Sequence, residues 1–247
     1  MITPSEKCFL FDIDGTLTEA RQPMEPKFAA FFEKWASEHT VYLVSGSDLP
    51  KIKKQISINI LNKCEGIFSC MGNELWKSHH NLKWLWSVYK NKLNIPEEVT
   101  KWLQIKLKES KFKGRTHTHF EHRSGMLNFS IAGRGEINPC ADRQLRDRYR
   151  EWDASVGERA AIVQEFNNTF SHLNLEALVG GQISLDIQEK GKDKGQILQH
   201  IKHDHYVFFG DKCEAGGNDH SLYKKVDEGW CVKNYIDTRN ILCLKYF

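Results

Sequence analysis

The feature of this 247-residue sequence that most constrains its fold is an alternation of short apolar runs with amphipathic helical runs towards both ends. In the N-terminal part, strand-like and helical runs alternate in the order 7–11, 27–38, 41–44 and 49–60. The alternation resumes after Asp186, with a helical run followed by strand-like runs at 194–201, 206–211 and 229–232. Because neighbouring parallel strands need a crossover connection, which is usually a helix, this pattern predicts a parallel α/β sheet.

The middle of the chain has a different pattern, in which helices and strands are segregated. Its helical and strand-like runs lie at 97–108, 125–133, 141–170 and 175–187. Such segregation favours a separate α+β unit. We therefore expect an α/β core made of residues 1–82 and 187–247, with an α+β cap domain of residues 83–186 inserted between its two parts.

Composition and charge narrow the class of partner. With 35 basic and 32 acidic side chains, the formal net charge of +3 is too balanced for nonspecific nucleic-acid binding, so we expect a small partner. The seven cysteines are scattered, with no C-x-x-C pair, and are interpreted as reduced thiols. Neither a signal peptide nor a membrane-spanning apolar stretch is found, which predicts a cytoplasmic protein without a membrane partner.

Two aspartates follow the first apolar run, in the string FDIDGTLT. In an extended chain Asp12 and Asp14 leave the same side of the strand, and the turn can lift them to the sheet's carboxyl end, where α/β sites lie. A clustered acidic pair there costs stability unless a cation neutralises it, so it suggests a hard divalent metal held by oxygen ligands. One carboxylate can then attack phosphorus while the other moves a proton. A surface Asp-Gly turn is the alternative interpretation of D-x-D alone.

Two serines follow the predicted strand at 41–44, in VYLVSGSD. A hydroxyl and exposed backbone N–H groups after a strand can hold phosphate oxygens. Ser45 is the preferred phosphate contact and Ser47 the alternative. Ordinary turn chemistry explains the same residues without a ligand.

Late in the chain, Lys194 stands at a predicted helix start, where its charge can offset a nucleophile and a transferring phosphoryl group. A solvated lysine is the alternative. Asp211 ends a predicted strand and can complete a metal site with Asp12 and the backbone carbonyl of Asp14. Either Asn218 or Asp219 is placed to orient metal-bound water. Helix capping is the alternative role for the second of these.

The string F-D-x-D-G-T-L-T resembles the first motif of the haloacid dehalogenase superfamily. The later motifs of that superfamily are similar in kind and order to the segments that contain Ser45, Lys194 and Asp211. The resemblance implies a Rossmann-like core with a parallel sheet and an inserted cap of type IIB. It also implies that Asp12 is the nucleophile and that Asp14 is the general acid and base.

The inserted segment gives a narrower resemblance, carried by EHRSGMLNFSIAGR and GGQISLDI together with LTEARQP near the N-terminus. These strings are similar to those of eukaryotic-type phosphomannomutases, and the likeness spans essentially the whole chain. It implies that Arg123 and Arg134 bind the distal phosphate. It further implies that Ser184 and Asp186 bind sugar hydroxyls and that Arg21 lies at the mouth between the lobes.

A third family arginine aligns with Arg146, through the similarity of RDRYREWD to the family's R-D-x-aromatic-x-x-aromatic-D. Arg143 is the fallback. A guanidinium fork can grip a phosphate from two directions, which suits an enzyme that must hold the phosphate that is not reacting. For any single arginine, a solvated helix face is the alternative.

The resemblance implies a phosphomannomutase that interconverts mannose 6-phosphate and mannose 1-phosphate, as in mannose metabolism and GDP-mannose biosynthesis. It implies a phosphorylated Asp12, Mg²⁺, a hexose 1,6-bisphosphate activator and a bisphosphate intermediate. The hexose phosphate is the expected partner, and a homodimer through the cap is possible. The alternatives are a magnesium-dependent sugar-phosphate phosphatase and a non-catalytic sugar-phosphate-binding protein.

The resemblance does not extend to a second cation site, because Lys225 stands where the family has an aspartate associated with that cation. Two histidine pairs are spaced for metal binding on a strand, at His117 with His119 and His203 with His205. No third ligand accompanies either pair, so the sequence predicts no transition-metal site.

Overall fold

The computed structural model describes residues 7–79, 82–135 and 139–246. They form two compact units. The first unit combines the described residues up to Asn91 with those from Gly191 onward, and the second comprises those from Lys92 to Lys190. Within the described part of the chain, no helix has both the length and the apolar character needed to cross a membrane.

The described residues form eleven strands, numbered along the chain as β1 (Cys8–Phe11), β2 (Thr40–Val44), β3 (Gly66–Ser69), β4 (Glu74–His79), β5 (Leu82–Lys90), β6 (Phe120–Arg123), β7 (Met126–Phe129), β8 (Leu175–Val179), β9 (Leu185–Glu189), β10 (Tyr206–Gly210) and β11 (Glu228–Cys231). The first unit contains a seven-stranded sheet in the order β11-β10-β1-β2-β3-β4-β5. Its strands pair in parallel from β11 to β3, whereas β4 and β5 are antiparallel additions at one edge. The predicted parallel α/β core is therefore present.

The described residues also form eight α-helices, α1 (Pro26–Ala36), α2 (Leu49–Gln55), α3 (Ile58–Leu61), α4 (Glu97–Glu109), α5 (Pro139–Val156), α6 (Glu158–Thr169), α7 (His220–Tyr223) and α8 (Tyr235–Lys245). Short 3-10 helices lie at Cys70–Gly72, Ser171–Leu173 and Lys194–Gln199. The last of these replaces the helix predicted at 194–201, and α8 was not predicted at all.

The boundaries of the inserted unit differ from the predicted 83–186. Strand β5 pairs with β4 in the sheet of the first unit, so the N-terminal boundary falls after β5. Strand β9 extends to Glu189 within the second unit, so the C-terminal boundary falls after it. Strand pairing, which local sequence patterns do not specify, decides both positions.

Two predicted helices are interrupted. The run at 49–60 forms α2 and α3, because Ile56 adopts extended backbone with ψ 128° and Ser57 starts a new helix by accepting a hydrogen bond from the backbone N–H of Ile60. The run at 141–170 forms α5 and α6, which are separated by Gly157 in the left-handed conformation with φ 69°. Both breaks lie inside sequences whose apolar spacing is helical.

Strand β1 is buried on both sides, which explains its continuous apolar sequence. Phe9 and Phe11 pack in one core cluster, while Cys8 and Leu10 pack in a second, as the two-residue period of a strand requires. Phe11 meets Phe32 of α1 edge to face, with ring centroids 5.2 Å apart. Helix α1 therefore packs against one face of this strand.

The second unit contains a four-stranded antiparallel sheet in the order β6-β7-β9-β8. Strand β7 contributes Leu127 and Phe129 to a separate core. Helices α5 and α6 pack on the same core through buried residues such as Tyr149 and Phe166. The predicted α+β composition is therefore observed, with α4 completing the helical side.

Candidate active site

Three strands of the first unit end in polar residues at one edge of the sheet. Asp12 follows β1, Ser45 follows β2 and Asp211 follows β10, and β1 lies between the other two strands. The N–H of Asp12 donates to the Phe209 carbonyl at 2.9 Å, and that of Ser45 to the Phe68 carbonyl at 2.8 Å. Asp12 and Ser45 are therefore still bonded to a neighbouring strand where their own strands end, and all three residues lie at the carboxyl edge of the sheet.

The turn after Asp12 depends on a glycine. Gly15 has φ +85°, and a Cβ built on it would lie 2.6 Å from Cγ of Asp211. A larger residue would therefore need both a strained backbone and a displaced Asp211 side chain. This close approach lets the turn after β1 lie against the end of β10.

Lys194 is fully buried at the start of its 3-10 helix. Its ammonium donates to Oδ1 of Asp12 and, at 2.6 Å, to Oδ1 of Asp219. Burial favours the neutral amine, but the two carboxylates hold the pKa of Lys194 above its usual value. The side chain is therefore an ammonium next to the predicted nucleophile.

Asp219 is fully buried and links this lysine to the end of β10. Its Oδ2 accepts hydrogen bonds from the backbone N–H groups of Asp211 at 3.2 Å and Lys212 at 3.1 Å. Although Asp219 precedes α7, its side chain makes no capping hydrogen bond to that helix. The helix-capping alternative is therefore not observed.

Asp12, Asp211 and Asp219 form the one metal-compatible cluster found among the described residues, with ligand atoms within 4.8 Å of one another. The three carboxylates and the ammonium of Lys194 together carry two negative charges when all four groups are ionised. Burial raises the pKa of Asp12 well above its usual value and that of Asp211 to about 6. A divalent ion that prefers oxygen ligands, such as Mg²⁺, fits this donor set and charge. Asp219 joins the cluster without having been predicted as a ligand, and Asp14 was predicted only through its carbonyl.

The side chain of Asp14 has its own set of contacts. Its Oδ1 accepts hydrogen bonds from the backbone N–H of Arg21 at 2.7 Å and from Nε2 of Gln55 at 2.8 Å. Arg21 is exposed and adopts a left-handed backbone with φ 63°. Arg21 therefore contacts Asp14 through its main chain, a relationship that the sequence did not suggest.

The segment after β2 is held by an unusual turn after β3. Oγ of Ser45 accepts from the backbone N–H of Ser47 at 3.0 Å, and Ser45 is almost fully buried. The carbonyls of Ser45 and Ser47 accept from the backbone N–H groups of Met71 and Cys70, each at 3.0 Å. Cys70 and Met71 have φ of 50° and 61°, a conformation that is unfavourable for non-glycine residues. Backbone hydrogen bonds from this turn therefore hold the main chain at both serines.

The second unit brings together the predicted phosphate-binding arginines. Arg134 donates from Nη2 to Oδ1 of Asn128, and its Nε lies 3.4 Å from Oε2 of Glu121. Arg123 donates from Nη2 to the same Glu121 oxygen at 2.7 Å. Asn128 in turn donates to Oδ1 of Asp186, the predicted sugar ligand. One amide therefore connects a predicted phosphate ligand to a predicted sugar ligand.

Two of these arginines keep buried N–H groups without partners. Nη1 of Arg134 and Nη1 of Arg146 are buried and have no hydrogen-bond partner among the described residues. Burial lowers the pKa of Arg134 to about 10, with Glu121 opposing the shift and Arg123 and Arg146 adding to it. Because unpaired buried donors are unfavourable, this arrangement is suited to an anion with several acceptor oxygens.

Arg146, rather than the fallback Arg143, occupies this cluster. Arg146 is buried and donates from Nε to Oδ2 of Asp142 at 2.5 Å, whereas Arg143 is exposed. Both arginines lie on α5, and the packing of that helix decides which of them faces the interior.

Ser184 and Asp186 lie close together at the hairpin between β8 and β9. A Cβ on Gly180 would lie 2.7 Å from Oγ of Ser184 and 2.8 Å from Oδ2 of Asp186. The hairpin is also tied to α6, because Arg159 donates to the Gly181 carbonyl at 2.7 Å. Gly180 therefore leaves room for the two predicted sugar ligands to converge.

Sequence reasoning missed several contacting residues, namely Gln55, Asn128, Arg159 and, as a ligand, Asp219. Gln55 contacts Asp14 across a separation of 41 residues, and no motif in the sequence signals that contact. Asn128 lies in the segment EHRSGMLNFSIAGR, between Arg123 and Arg134, so the sequence does contain a signal for it.

Neither histidine pair belongs to the metal-compatible cluster found among the described residues, which contains only aspartates. His119 lies 2.9 Å from the Ser130 carbonyl, and His205 lies 2.8 Å from Oε1 of Glu228. These are contacts with neighbouring protein groups.

Solved structures with a similar fold include an IMP-bound IMP-nucleotidase from Plasmodium falciparum, with a TM-score of 0.63 and 16% identity over 96% of this chain and 67% of that one. A trehalose-6-phosphate phosphatase C-terminal domain from C. albicans matches with a TM-score of 0.55 and 16% identity over 89% of this chain and 73% of that one. At this identity the matches establish a shared fold.

Sequence comparison is more specific. The family model for eukaryotic phosphomannomutase matches residues 28–246. A phosphomannomutase from Saccharomyces cerevisiae is 33% identical over 96% of this chain and 93% of its own. One from Solanum lycopersicum is 34% identical over 87% of this chain and 84% of its own. The buried acidic centre and the arginine cluster thus occur in a chain that belongs to the eukaryotic phosphomannomutase family.

Proposed function

We propose that this chain interconverts mannose 6-phosphate and mannose 1-phosphate, with Asp12 as the phosphate carrier and a hexose 1,6-bisphosphate as activator. The observation that carries the proposal is the coexistence of two kinds of site. The first unit has an aspartate bonded to a buried ammonium, and the second has a buried arginine cluster with unpartnered N–H groups. Relatives named phosphomannomutase, similar over most of their length, support the same activity.

In the proposed cycle the activator first phosphorylates Asp12. The C1 hydroxyl of mannose 6-phosphate then attacks that phosphorus while Asp14 removes its proton. The bond between phosphorus and Asp12 breaks, and its electron pair returns to the carboxylate. The resulting mannose 1,6-bisphosphate reorients, and Asp12 attacks the phosphorus at C6. Asp14 returns the proton to the departing C6 oxygen, so that mannose 1-phosphate leaves and Asp12 is again phosphorylated.

The ammonium of Lys194 is placed to stabilise this transfer. It donates to one oxygen of Asp12, which orients the carboxylate and offsets negative charge near the attacked phosphorus. Mg²⁺, held by Asp12, Asp211, Asp219 and the carbonyl of Asp14, would supply further positive charge for the phosphoryl oxygens. Ser45, with Ser47 as the alternative, is proposed to donate to those oxygens.

The arginine cluster supports a mutase in particular. A bisphosphate intermediate always carries one phosphate that is not reacting, and Arg123, Arg134 and Arg146 are proposed to hold it. Bidentate guanidinium contacts suit this task because they fix orientation as well as charge. Ser184 and Asp186 are proposed to bind sugar hydroxyls, and Arg21 to contact the substrate at its entrance.

Some properties stay predictions from the sequence alone. They are the cytoplasmic location, the homodimer through the inserted domain, and the absence of nucleic-acid and membrane partners. Participation in GDP-mannose biosynthesis follows from the proposed activity.

The proposal is tested by incubating the protein with mannose 1-phosphate, glucose 1,6-bisphosphate and Mg²⁺ while mannose 6-phosphate and free phosphate are both measured. We expect mannose 6-phosphate to form without a matching release of phosphate. Free phosphate without isomerised sugar would favour a phosphatase instead. Asp12→Asn should abolish both products, and Asp204→Asn, a change at an exposed aspartate of the same unit, should leave the rate unaltered.

A further inference from the structure

Gln55 is a buried side chain with a specific contact to Asp14. It is the last residue of α2 and is only 6% exposed. Its Nε2 lies 2.8 Å from Oδ1 of Asp14 and 3.1 Å from Oγ1 of Thr18. Since an ionised carboxylate can only accept hydrogen bonds, the amide nitrogen must be the group that faces Asp14.

The backbone holds Gln55 in this place. Its carbonyl accepts from the backbone N–H of Met24 at 2.9 Å, and the following residue Ile56 leaves the helix in an extended conformation. Thr18, the second acceptor of the amide, donates its own hydroxyl to the Ile13 carbonyl at 3.3 Å. The amide is therefore oriented from both ends, and little of its rotational freedom remains to be lost when Asp14 acts.

The two oxygens of Asp14 have different surroundings. Oδ1 accepts both the Gln55 amide and the backbone N–H of Arg21. Among the described residues, no hydrogen bond is made to Oδ2. A proton carried by Asp14 is therefore better placed on Oδ2, because a proton on Oδ1 would oppose two donors.

We propose that Gln55 is a positioning residue, which fixes the rotamer of Asp14 so that Oδ2 exchanges the proton with the reacting sugar oxygen. The inference rests on the proposed function, in which Asp14 is the proton donor and acceptor. Gln55 does not touch the substrate in this scheme. It acts by preventing the carboxyl group from rotating and exchanging its oxygens.

The chemical consequence depends on the leaving group. When a phosphoryl group is transferred from a hexose bisphosphate to Asp12, the bond between phosphorus and the sugar oxygen breaks. The sugar oxygen keeps the electron pair of that bond and needs the proton from Asp14. A p-nitrophenolate is stable without that proton. Loss of Gln55 should therefore slow transfer from the hexose bisphosphate much more than transfer from p-nitrophenyl phosphate.

The experiment measures single-turnover phosphorylation of Asp12 by the full-length, magnesium-loaded protein. One phosphoryl donor is glucose 1,6-bisphosphate, and the readout is the glucose monophosphate released. The other donor is p-nitrophenyl phosphate, and the readout is the nitrophenolate released. For Gln55→Met we expect about a 10- to 100-fold loss with the bisphosphate, the scale of a misplaced catalytic group. With p-nitrophenyl phosphate we expect a loss of less than about 3-fold, since general acid catalysis contributes little there.

Two further variants separate positioning from damage to the fold. Gln55→Glu keeps the shape of the side chain but replaces the amide that faces Asp14, so it tests the positioning role if Gln55→Met does not fold. It should show the same selectivity for the leaving group. Gln188→Met removes another buried amide, whose Nε2 donates to Glu176 in the second unit at 3.2 Å, and this variant should show no selectivity for the leaving group.

Equal slowing with both donors, or no slowing with either, would overturn the positioning role alone. A wild-type protein that accepts phosphate from p-nitrophenyl phosphate but from no alkyl phosphate would overturn both this inference and the proposed function. The two failures are therefore distinguishable.

Discussion

Lys194 and Asp219 form a fully buried ion pair, with 2.6 Å between Nζ and Oδ1. Because the same ammonium also contacts Asp12, its loss would leave buried carboxylates without compensation. For Lys194→Met we expect a loss of roughly 3–5 kcal/mol in the free energy of unfolding, as when one partner of a buried pair is removed. Urea unfolding measures it, and Lys202→Met, at an exposed lysine, is the control. A loss no larger than that of the control would contradict the network.

The acidic cluster should respond to Mg²⁺. In magnesium-free buffer, Asp211→Asn removes one of three mutually repelling carboxylates, so we expect its melting temperature to equal or exceed that of the wild type. Added Mg²⁺ should raise the melting temperature of the wild type more than that of the variant, because binding to the folded state stabilises it. Thermal scans with and without Mg²⁺ check this. Equal magnesium shifts in both proteins would argue against Asp211 as a ligand.

Removal of the Arg134 guanidinium should weaken binding of hexose phosphates. A charge-assisted hydrogen bond contributes about 1.5–3 kcal/mol, so Arg134→Met should raise KM for mannose 1-phosphate by roughly 10- to 100-fold. Transfer from p-nitrophenyl phosphate, which has no second phosphate, should be nearly unaffected. Arg150→Met, at an arginine of α5 whose side chain is 55% exposed, is the matched control. A comparable loss of phosphoryl transfer from p-nitrophenyl phosphate would contradict a role restricted to the distal phosphate.

Arg159 should matter for the hairpin that carries Ser184 and Asp186. Its Nε donates to Oδ2 of Asp153 at 2.8 Å, and its Nη1 donates to the Gly181 carbonyl. In Arg159→Met we expect KM for mannose 1-phosphate to rise several-fold because the hairpin is less firmly held. Hydrogen exchange at the amides of the hairpin should also become faster. An unchanged exchange rate would show that other contacts hold the hairpin.

Glu228 should make stability depend on pH. Burial raises the pKa of Glu228, but hydrogen bonds from Lys7, Tyr246 and His205 outweigh that effect and hold this pKa at about 2. Since this folded-state pKa lies below the usual 4.5, the stabilisation is complete above pH 4.5 and is lost as the pH falls towards 2. Glu228→Gln should therefore be less stable than the wild type at pH 7, and the gap in unfolding free energy should narrow below pH 4.5. A gap that stays constant with pH would refute the assignment.

Much of the core was accessible from local sequence. Alternation of apolar and helical runs predicted the parallel sheet, and the apolar run before them placed Asp12 and Asp14 directly after β1. The boundaries of the inserted unit were not accessible in the same way. They depend on β5 pairing with β4, and antiparallel pairing is a property of two segments together rather than of either one.

Apolar spacing also did not reveal the breaks in the predicted helices. The sequence from Leu49 to Ile60 has helical spacing throughout, yet Ile56 is extended and the chain turns there. That turn is what places Gln55 at a helix end, within reach of Asp14. Apolar spacing does not report this break, whose local signal is Ser57, the N-cap residue that accepts from the backbone N–H of Ile60.

By itself, the sequence indicated phosphoryl transfer. The functional groups that this chemistry needs are visible in it: two carboxylates after a strand, a later lysine, and an aspartate at the end of another strand. The tertiary structure decided how those groups are shared. In the folded chain, Lys194 contacts both Asp12 and Asp219, and Asp219 belongs to the acidic cluster. Arg146 is buried near Arg134, whereas Arg143 is exposed. The Gln55 amide contacts one oxygen of Asp14. Each of these outcomes depends on distances between segments remote in sequence, and only the folded chain fixes such distances.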